Sequence, residues 1–155
     1  MLIYRISQTK YANSLTASGV DGRWNFFGQK MIYTAGSVAL ACLENLAHRS
    51  GTSLASGNFS LSVIEVEDSL KIEEVKIRDL ASLDPKWQSV ENYPLTQKLG
   101  SDWLDRNTAA ILKVPSAIID LEYNYLLNPN HASFIGIKLV KVVRFRFDVR
   151  LKGNL

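Results

Sequence analysis

Residues 22–48 read GRWNFFGQKMIYTAGSVALACLENLAH. The segment has the apolar content of a protein core, yet it carries Arg23 and Glu44, and a charge removed from water without a partner is strongly destabilising. Its second half reads as a helix from Ser37 to His48. Ser37 is a plausible N-cap, and Ala39, Leu40, Leu43, Leu46 and Ala47 gather on one face. At 100° per residue Glu44 falls beside the Leu40 and Ala47 edge of that stripe, at the seam between core and outside. A carboxylate there looks into a cleft while its helix is held by the core.

Just before the helix, QKMIYTA (Gln29 to Ala35) is rich in β-formers and reads as a strand. Gly19, Gly22 and Gly28 punctuate SGVDGRWNFFG, which reads as a loop whose backbone turns sharply or approaches a ligand closely. Further toward the N-terminus, LIYRIS (Leu2 to Ser7) is another strand.

On the C-terminal side RSGTSLASGN reads as a turn, followed by two alternating segments, FSLSVIEVE and LKIEEVKI, that read as strands. LDPKWQSVENYP reads as loop with short helical turns. Thr96 to Asn107 is helix-like, with Leu99, Trp103 and Leu104 on its apolar side and Gly100 weakening it. AAILKVPSAII reads as a strand interrupted at Pro115, which cannot donate to a ladder. The last strand has the clearest alternation, through Ile137, Leu139, Val143, Phe145, Phe147, Val149 and Leu151. Its other face carries Lys138, Arg144, Arg146 and Arg150, a row expected to be a solvated exterior. The pattern predicts a single α+β domain over residues 1–155.

A chain of 155 residues buries roughly 70% of its unfolded surface and folds without staples. Its formal charge of +3 permits an anionic ligand and gives no argument for nucleic acid, so no direct nucleic-acid binding is expected. The lone cysteine, Cys42, cannot close an internal disulfide and reads as a small helical hydrophobe. MLIYRISQTKYANSL lacks the pattern of a signal peptide, and no apolar run approaches a membrane span, so a cytoplasmic protein without membrane attachment is expected. His48, His131 and Cys42 are too few and too scattered for a zinc site. There is no P-loop, no G-x-G-x-x-G after a strand and no G-x-S-x-G elbow.

Arg23, Tyr33 and Glu44 stand ten and eleven residues apart across loop, strand and helix. With GRWN followed by IYTAGSVALACLENLAH, and with YRIS, SDWLDRNTAAILKVPSAI and NYLLNPNHASF in that order, the chain resembles the RES domain family over nearly its whole length. These are the toxins of RES-Xre type II toxin–antitoxin pairs. The resemblance implies an ADP-ribosyltransferase-like fold, a split pair of mostly antiparallel sheets with a few helices and NAD between them. It implies that Arg23, Tyr33 and Glu44 are catalytic and that Arg5 and Ser116 bind NAD. NAD enters as substrate, with no cofactor or metal implied.

The residue types suit these roles. A guanidinium is a planar fork that takes two phosphate oxygens at once, so Arg5 and Arg23 suit a pyrophosphate; the competing reading pairs each with a carboxylate. Tyr33 offers a ring to stack on nicotinamide or ribose and a hydroxyl to donate, or else is a packed strand tyrosine. When the ribose–nicotinamide bond breaks, positive charge builds on the ribose as in glycoside hydrolysis. At about 4 Å and an effective dielectric near 20, a carboxylate at Glu44 attracts that charge by about 4 kcal/mol, roughly three powers of ten in rate. The plainer reading is a surface helix glutamate. Ser116 either hydrogen-bonds the substrate or satisfies backbone at the irregularity beside Pro115, and Asn124, Asn128, Asn130 and His131 read as turn formers.

The function expected is NAD cleavage with water or phosphate as acceptor, as an NAD glycohydrolase or phosphorylase, in a toxin that forms an oligomer with a cognate antitoxin carrying an Xre-like helix-turn-helix domain. Two alternatives stand beside it: ADP-ribosyl transfer to a protein or nucleic acid, and a catalytically silent binding module.

Overall fold

The computed structural model describes residues 1–49, 53–54 and 57–152. Residues 50–52 and 55–56 of the RSGTSLASGN turn lie outside the described residues. The strands are β1 (Leu2–Gln8), β2 (Ile32–Ala35), β3 (Phe59–Val66), β4 (Ile72–Glu74), β5 (Ile111–Pro115), β6 (Tyr123–Leu127) and β7 (Ile137–Phe145). The helices named here are α1 (Val38–His48), α2 (Ile77–Leu83) and α3 (Tyr93–Arg106). The strands form one seven-stranded sheet in the order β4-β5-β6-β2-β1-β3-β7. Among the described strands only β4 and β5 run parallel.

The sheet is nearly two. β1 pairs with β3 along its whole length, and β2 with β6, but β1 and β2 meet at one residue pair, Tyr4 with Ala35. Beyond that pair the ladder would place Arg5 opposite Thr34 and Ile6 opposite Tyr33. Instead the two strands diverge, and the wedge between them is open. This is the split α+β architecture expected of an ADP-ribosyltransferase-like fold, with the split located at the β1/β2 seam.

α1 spans the seam. The Ser37 hydroxyl caps it by accepting from the Leu40 backbone N–H at 3.1 Å. Leu40 and Ala41 are buried with Ile6, Ala35 and Phe59, so the helix packs on both halves of the sheet. Asn45 ties it to β1 by donating to the Ile6 carbonyl at 3.2 Å. Cys42 is half-buried against this cluster, and burial pushes its thiol pKa up. A second core gathers Trp24, Met31, Leu80, Trp87, Trp103 and Leu112, and a third gathers Ile3, Ile32, Ile64, Ile111 and Leu127.

Several expected boundaries move. LKIEEVKI keeps strand form only over Ile72–Glu74, and α2 begins at Ile77. β2 starts at Ile32 rather than Gln29, and α3 starts at Tyr93, with Pro94 in its first turn where a missing N–H costs nothing. β7 stops at Phe145 despite alternation that continues to Leu151. Phe147 leaves the ladder to pack edge-on against Phe59 and Phe145, and Asp148 accepts from the Arg150 backbone N–H in the turn that follows. Between Val63 and Ile64 the β3/β7 register shifts, leaving Val140 as the extra residue of a bulge. Lys138, Arg144, Arg146 and Arg150 are exposed, with Lys138 paired to Glu67 and Arg150 to Asp148. Among the described residues no helix is long and apolar enough to cross a membrane.

Candidate active site

The wedge at the β1/β2 seam is a cleft of ≈ 680 Å³, within the range of small-molecule sites. Arg5 and Ile6 line it from β1, Ile32, Tyr33 and Thr34 from β2, Glu44 and His48 from α1, and Arg23 from the loop before β2. The expected residues Arg5, Arg23, Tyr33 and Glu44 therefore share one cavity. Arg49 joins the lining, and Asp21 is the other carboxylate there besides Glu44, so cationic groups predominate.

One wall carries Glu44, whose side chain is 24% exposed. Its Oε1 accepts from the Ser116 hydroxyl at 3.1 Å and from Asn124 Nδ2 at 2.6 Å. Its Oε2 lies 3.7 Å from His48 Nε2, one helical turn on. Burial by itself would raise the Glu44 pKa. The nearby His48 imidazole and the hydrogen bonds from Asn124 and Ser116 outweigh it and hold the carboxyl below its ordinary value of 4.5. The group is an anion at neutral pH.

Ser116 is fully buried, immediately after β5. Its hydroxyl donates to Glu44 and accepts from the Ile118 and Ile119 backbone N–H groups, at 3.0 and 3.2 Å. It thus both satisfies backbone at the end of β5 and holds Glu44, and it stands behind the carboxylate rather than on the cleft surface.

The opposite wall is the Gly22–Gln29 loop. Trp24, 2% exposed, anchors it in the core beside Trp87 and Trp103. α3 clamps its backbone: Thr96 donates to the Arg23 carbonyl at 2.6 Å, and Gln97 to the Gly22 carbonyl at 2.9 Å. Ser101 donates to the Gln29 side chain at 2.6 Å. Gly100 makes this approach possible, because a Cβ there would collide with the Trp24 carbonyl. The residue that looked like a flaw in α3 is the contact point of the loop.

Arg23 leaves this loop with its guanidinium over the Tyr93 ring, 4.4 Å from the centroid. It donates to the Gln88 carbonyl at 2.8 Å and the Trp87 carbonyl at 3.3 Å. Arg5 donates to the Thr16 carbonyl at 3.4 Å, and burial pushes its pKa down. Among the described residues neither guanidinium has a carboxylate within ion-pair distance. Both are oriented by neutral carbonyls and remain available to an anion.

Tyr33, 37% exposed, links loop and strand. Its hydroxyl accepts from the Trp24 backbone N–H at 3.0 Å and donates to Asn25 Oδ1 at 2.7 Å. Burial raises its pKa well above the ordinary phenol value, so it stays neutral. Gly22 makes room for it, since a Cβ would come within 2.6 Å of the hydroxyl. Buried Asn25 in turn donates to the Val20 and Phe26 carbonyls, both at 3.0 Å, which closes the loop on itself.

Residues 2–148 match the RES domain family. The chain belongs to that family. This RES domain is 38% identical to "Toxin Res" of Yersinia enterocolitica serotype O:8 / biotype 1B, over 98% of this chain and 100% of that protein. It is 33% identical to "Prs ADP-ribosylating toxin" of Sphingobium sp. strain YBL2, over 94% of this chain and 91% of that one. Among solved structures, it shares the fold of a chain in the M. tuberculosis MbcT-MbcA toxin-antitoxin complex. That likeness has a TM-score of 0.77 at 17% identity and covers 97% of this chain and 86% of that chain.

Some residues of the RES domain's cleft escaped the sequence reading. Asn124 read as a turn former, yet it sits on β6 between β2 and β5, and only the pairing of those strands reveals it. His48 was legible in principle, at four residues from Glu44 on one helix face. Tyr93 and the α3 clamp are remote in sequence from Arg23 and left no signal in its neighbourhood. His131 forms a turn as expected, its Nδ1 accepting from the Ser133 backbone N–H at 3.0 Å. Among the described residues no group of three or more His, Cys, Asp or Glu side chains is placed to hold a metal ion.

Proposed function

We propose that this protein is the toxin of a toxin–antitoxin pair and that it cleaves the bond between nicotinamide and ribose in NAD. The observation that carries the proposal is one cleft holding an ionised carboxylate, Glu44, together with two guanidiniums, Arg5 and Arg23, that no carboxylate among the described residues neutralises. A ligand suited to it is anionic in one part and becomes cationic in another, as a dinucleotide does during cleavage. Curated relatives named as toxins, one of them ADP-ribosylating, support the reading.

Arg5 and Arg23 take the pyrophosphate, and Tyr33 and the Arg23–Tyr93 stack supply flat surfaces for the bases and ribose. The bond between ribose C1′ and the nicotinamide nitrogen breaks, and its electron pair leaves with nicotinamide, which departs neutral and needs no general acid. Glu44 stabilises the positive charge left on the ribose, which exists mainly in the transition state. Water or phosphate then bonds to C1′, a water losing its proton to solvent. Cationic groups predominate in the cleft, which favours a partner that occupies it. A cognate antitoxin with an Xre-like helix-turn-helix domain fills that role, and a solved neighbour of the same fold is a toxin-antitoxin complex.

Incubation of purified protein with NAD, followed by chromatography for nicotinamide, tests the activity; NAD left intact by folded protein overturns it. The relative named for ADP-ribosylation favours a second reading, transfer to a macromolecule. Labelled NAD in lysate separates the two. Free labelled ADP-ribose or its 1″-phosphate supports cleavage, and label fixed on protein or nucleic acid supports transfer.

A further inference from the structure

Glu44 has two oxygens in unlike surroundings. Oε1 accepts from both Asn124 and Ser116, whereas among the described residues Oε2 has only the His48 imidazole at 3.7 Å, beyond hydrogen-bond distance. We propose that Asn124 is a positioning residue that locks the Glu44 carboxylate by engaging Oε1, so that Oε2 is the oxygen offered to the ligand. The idea extends the proposed function to a residue outside the expected set, and its structural half stands without it.

Asn124 suits this task because of where it sits. β6 lies inside the sheet, and residue 124 is paired on both sides, to Ala35 of β2 and to Val114 of β5. A donor on such a strand has little freedom. Glu44 has three rotatable bonds and stands on α1, across the cleft floor. The Asn124 contact, at 2.6 Å, is the shorter of the two on Oε1, and Asn124 also lines the cleft, whereas Ser116 does not. A neutral amide orients the carboxylate without cancelling its charge, as a lysine would. That preserves an anion for the developing cation.

The variants Asn124→Asp and Asn124→Ala test this. Asp is nearly isosteric but replaces a donor with a second carboxylate, and two carboxylates this close cannot both ionise easily. The Glu44 carboxyl can be followed by carbon NMR in free protein, so the outcome does not depend on NAD turnover. Among the described residues His48 makes the ion-pair contact of Glu44 within 4 Å, Arg49 follows on the same helix end, and Tyr4, Arg5, Asp21, Arg23, Tyr33 and Tyr93 line the same cleft from the other elements. They are unchanged in both variants and cancel in the comparison.

The Glu44 titration is expected to move upward in Asn124→Ala and further upward in Asn124→Asp. In NAD cleavage, Asn124→Ala is expected to lower kcat by roughly ten- to a hundredfold, the range for a lost hydrogen bond to a charged group, with little change in KM. Asn124→Asp is expected to move the acid limb of kcat to higher pH. A Glu44 titration unchanged in folded Asn124→Asp protein overturns the proposal, as does an unchanged kcat in Asn124→Ala. If neither wild type nor variant cleaves NAD while the Glu44 titration still moves, the positioning role stands and the NAD reading falls.

Discussion

The two walls of the cleft are built in opposite ways. The carboxylate wall rests on regular elements, α1, the end of β5 and β6, and one Glu44 oxygen is supplied with two donors. The guanidinium wall joins Arg5 of β1 to Arg23 of a loop clamped against α3, and among the described residues these two cations hydrogen-bond carbonyls and Arg23 stacks on one ring. The first wall holds its anion with neutral donors. The second leaves positive charge unanswered, which is the mark of a place reserved for an anion. On the proposed function, chemistry falls to the Glu44 wall and binding to the Arg23 wall.

The largest expected effect tests the first half of that division. Glu44→Gln keeps the shape of the side chain and removes its charge, and NAD cleavage is expected to fall by about a thousandfold in kcat. A second substitution acts on the other wall. Arg23→Lys keeps the charge but loses the planar fork, the stack on Tyr93 and the contacts to the 87 and 88 carbonyls. A fall of roughly ten- to a hundredfold in kcat/KM, mainly through KM, is expected in steady-state kinetics.

Gly100→Ala sharpens the comparison without touching either charged group. The new methyl collides with the Trp24 carbonyl, so the loop must shift while α1 and β6 stay in place. Overpacking of this kind costs about 1–3 kcal/mol, a fall in Tm of several degrees for a chain of this size. Calorimetry gives the Tm, and an accompanying rise in KM larger than any change in kcat would locate the damage in the binding wall.

The smallest effect concerns pH. The folded protein holds the Glu44 carboxyl below 4.5, so the stability this group contributes is present above that value. It is lost as pH falls through the lowered folded value. Acid titration by circular dichroism is therefore expected to be steeper in wild type than in Glu44→Gln below pH 4.5. On the same grounds Glu44 should impose no loss of turnover between neutrality and 4.5. An acid limb assigned to Glu44 and lying above that value would contradict the hydrogen bonding described here.

How much of this was legible in the sequence follows the same division. The carboxylate helix could be read almost whole, because Ser37 caps it locally and the apolar stripe of α1 fixes which face Glu44 shares. β1 and β3 were likewise carried by local patterns. The guanidinium wall was less legible: Arg23 was recognisable, but its support comes from Tyr93, Thr96, Gln97 and Gly100, joined to it only by folding. Gly100 illustrates the loss best. Helix propensity marks it as a weak point, and nothing local shows the carbonyl that needs the space. Asn124 failed for a similar reason, since its composition suggests a turn while its strand partners place it in the sheet. β7 erred the other way, its alternation outlasting the ladder because Phe147 found ring contacts instead.

The division of labour between the walls is tested most directly by calorimetric titration of NAD into two variants, Glu44→Gln and Arg23→Ala. Glu44→Gln is expected to bind NAD within a few-fold of the wild-type Kd while Arg23→Ala binds at least about tenfold more weakly. Normal binding by Arg23→Ala together with lost binding by Glu44→Gln would contradict the assignment of anion recognition to the loop and of charge stabilisation to α1.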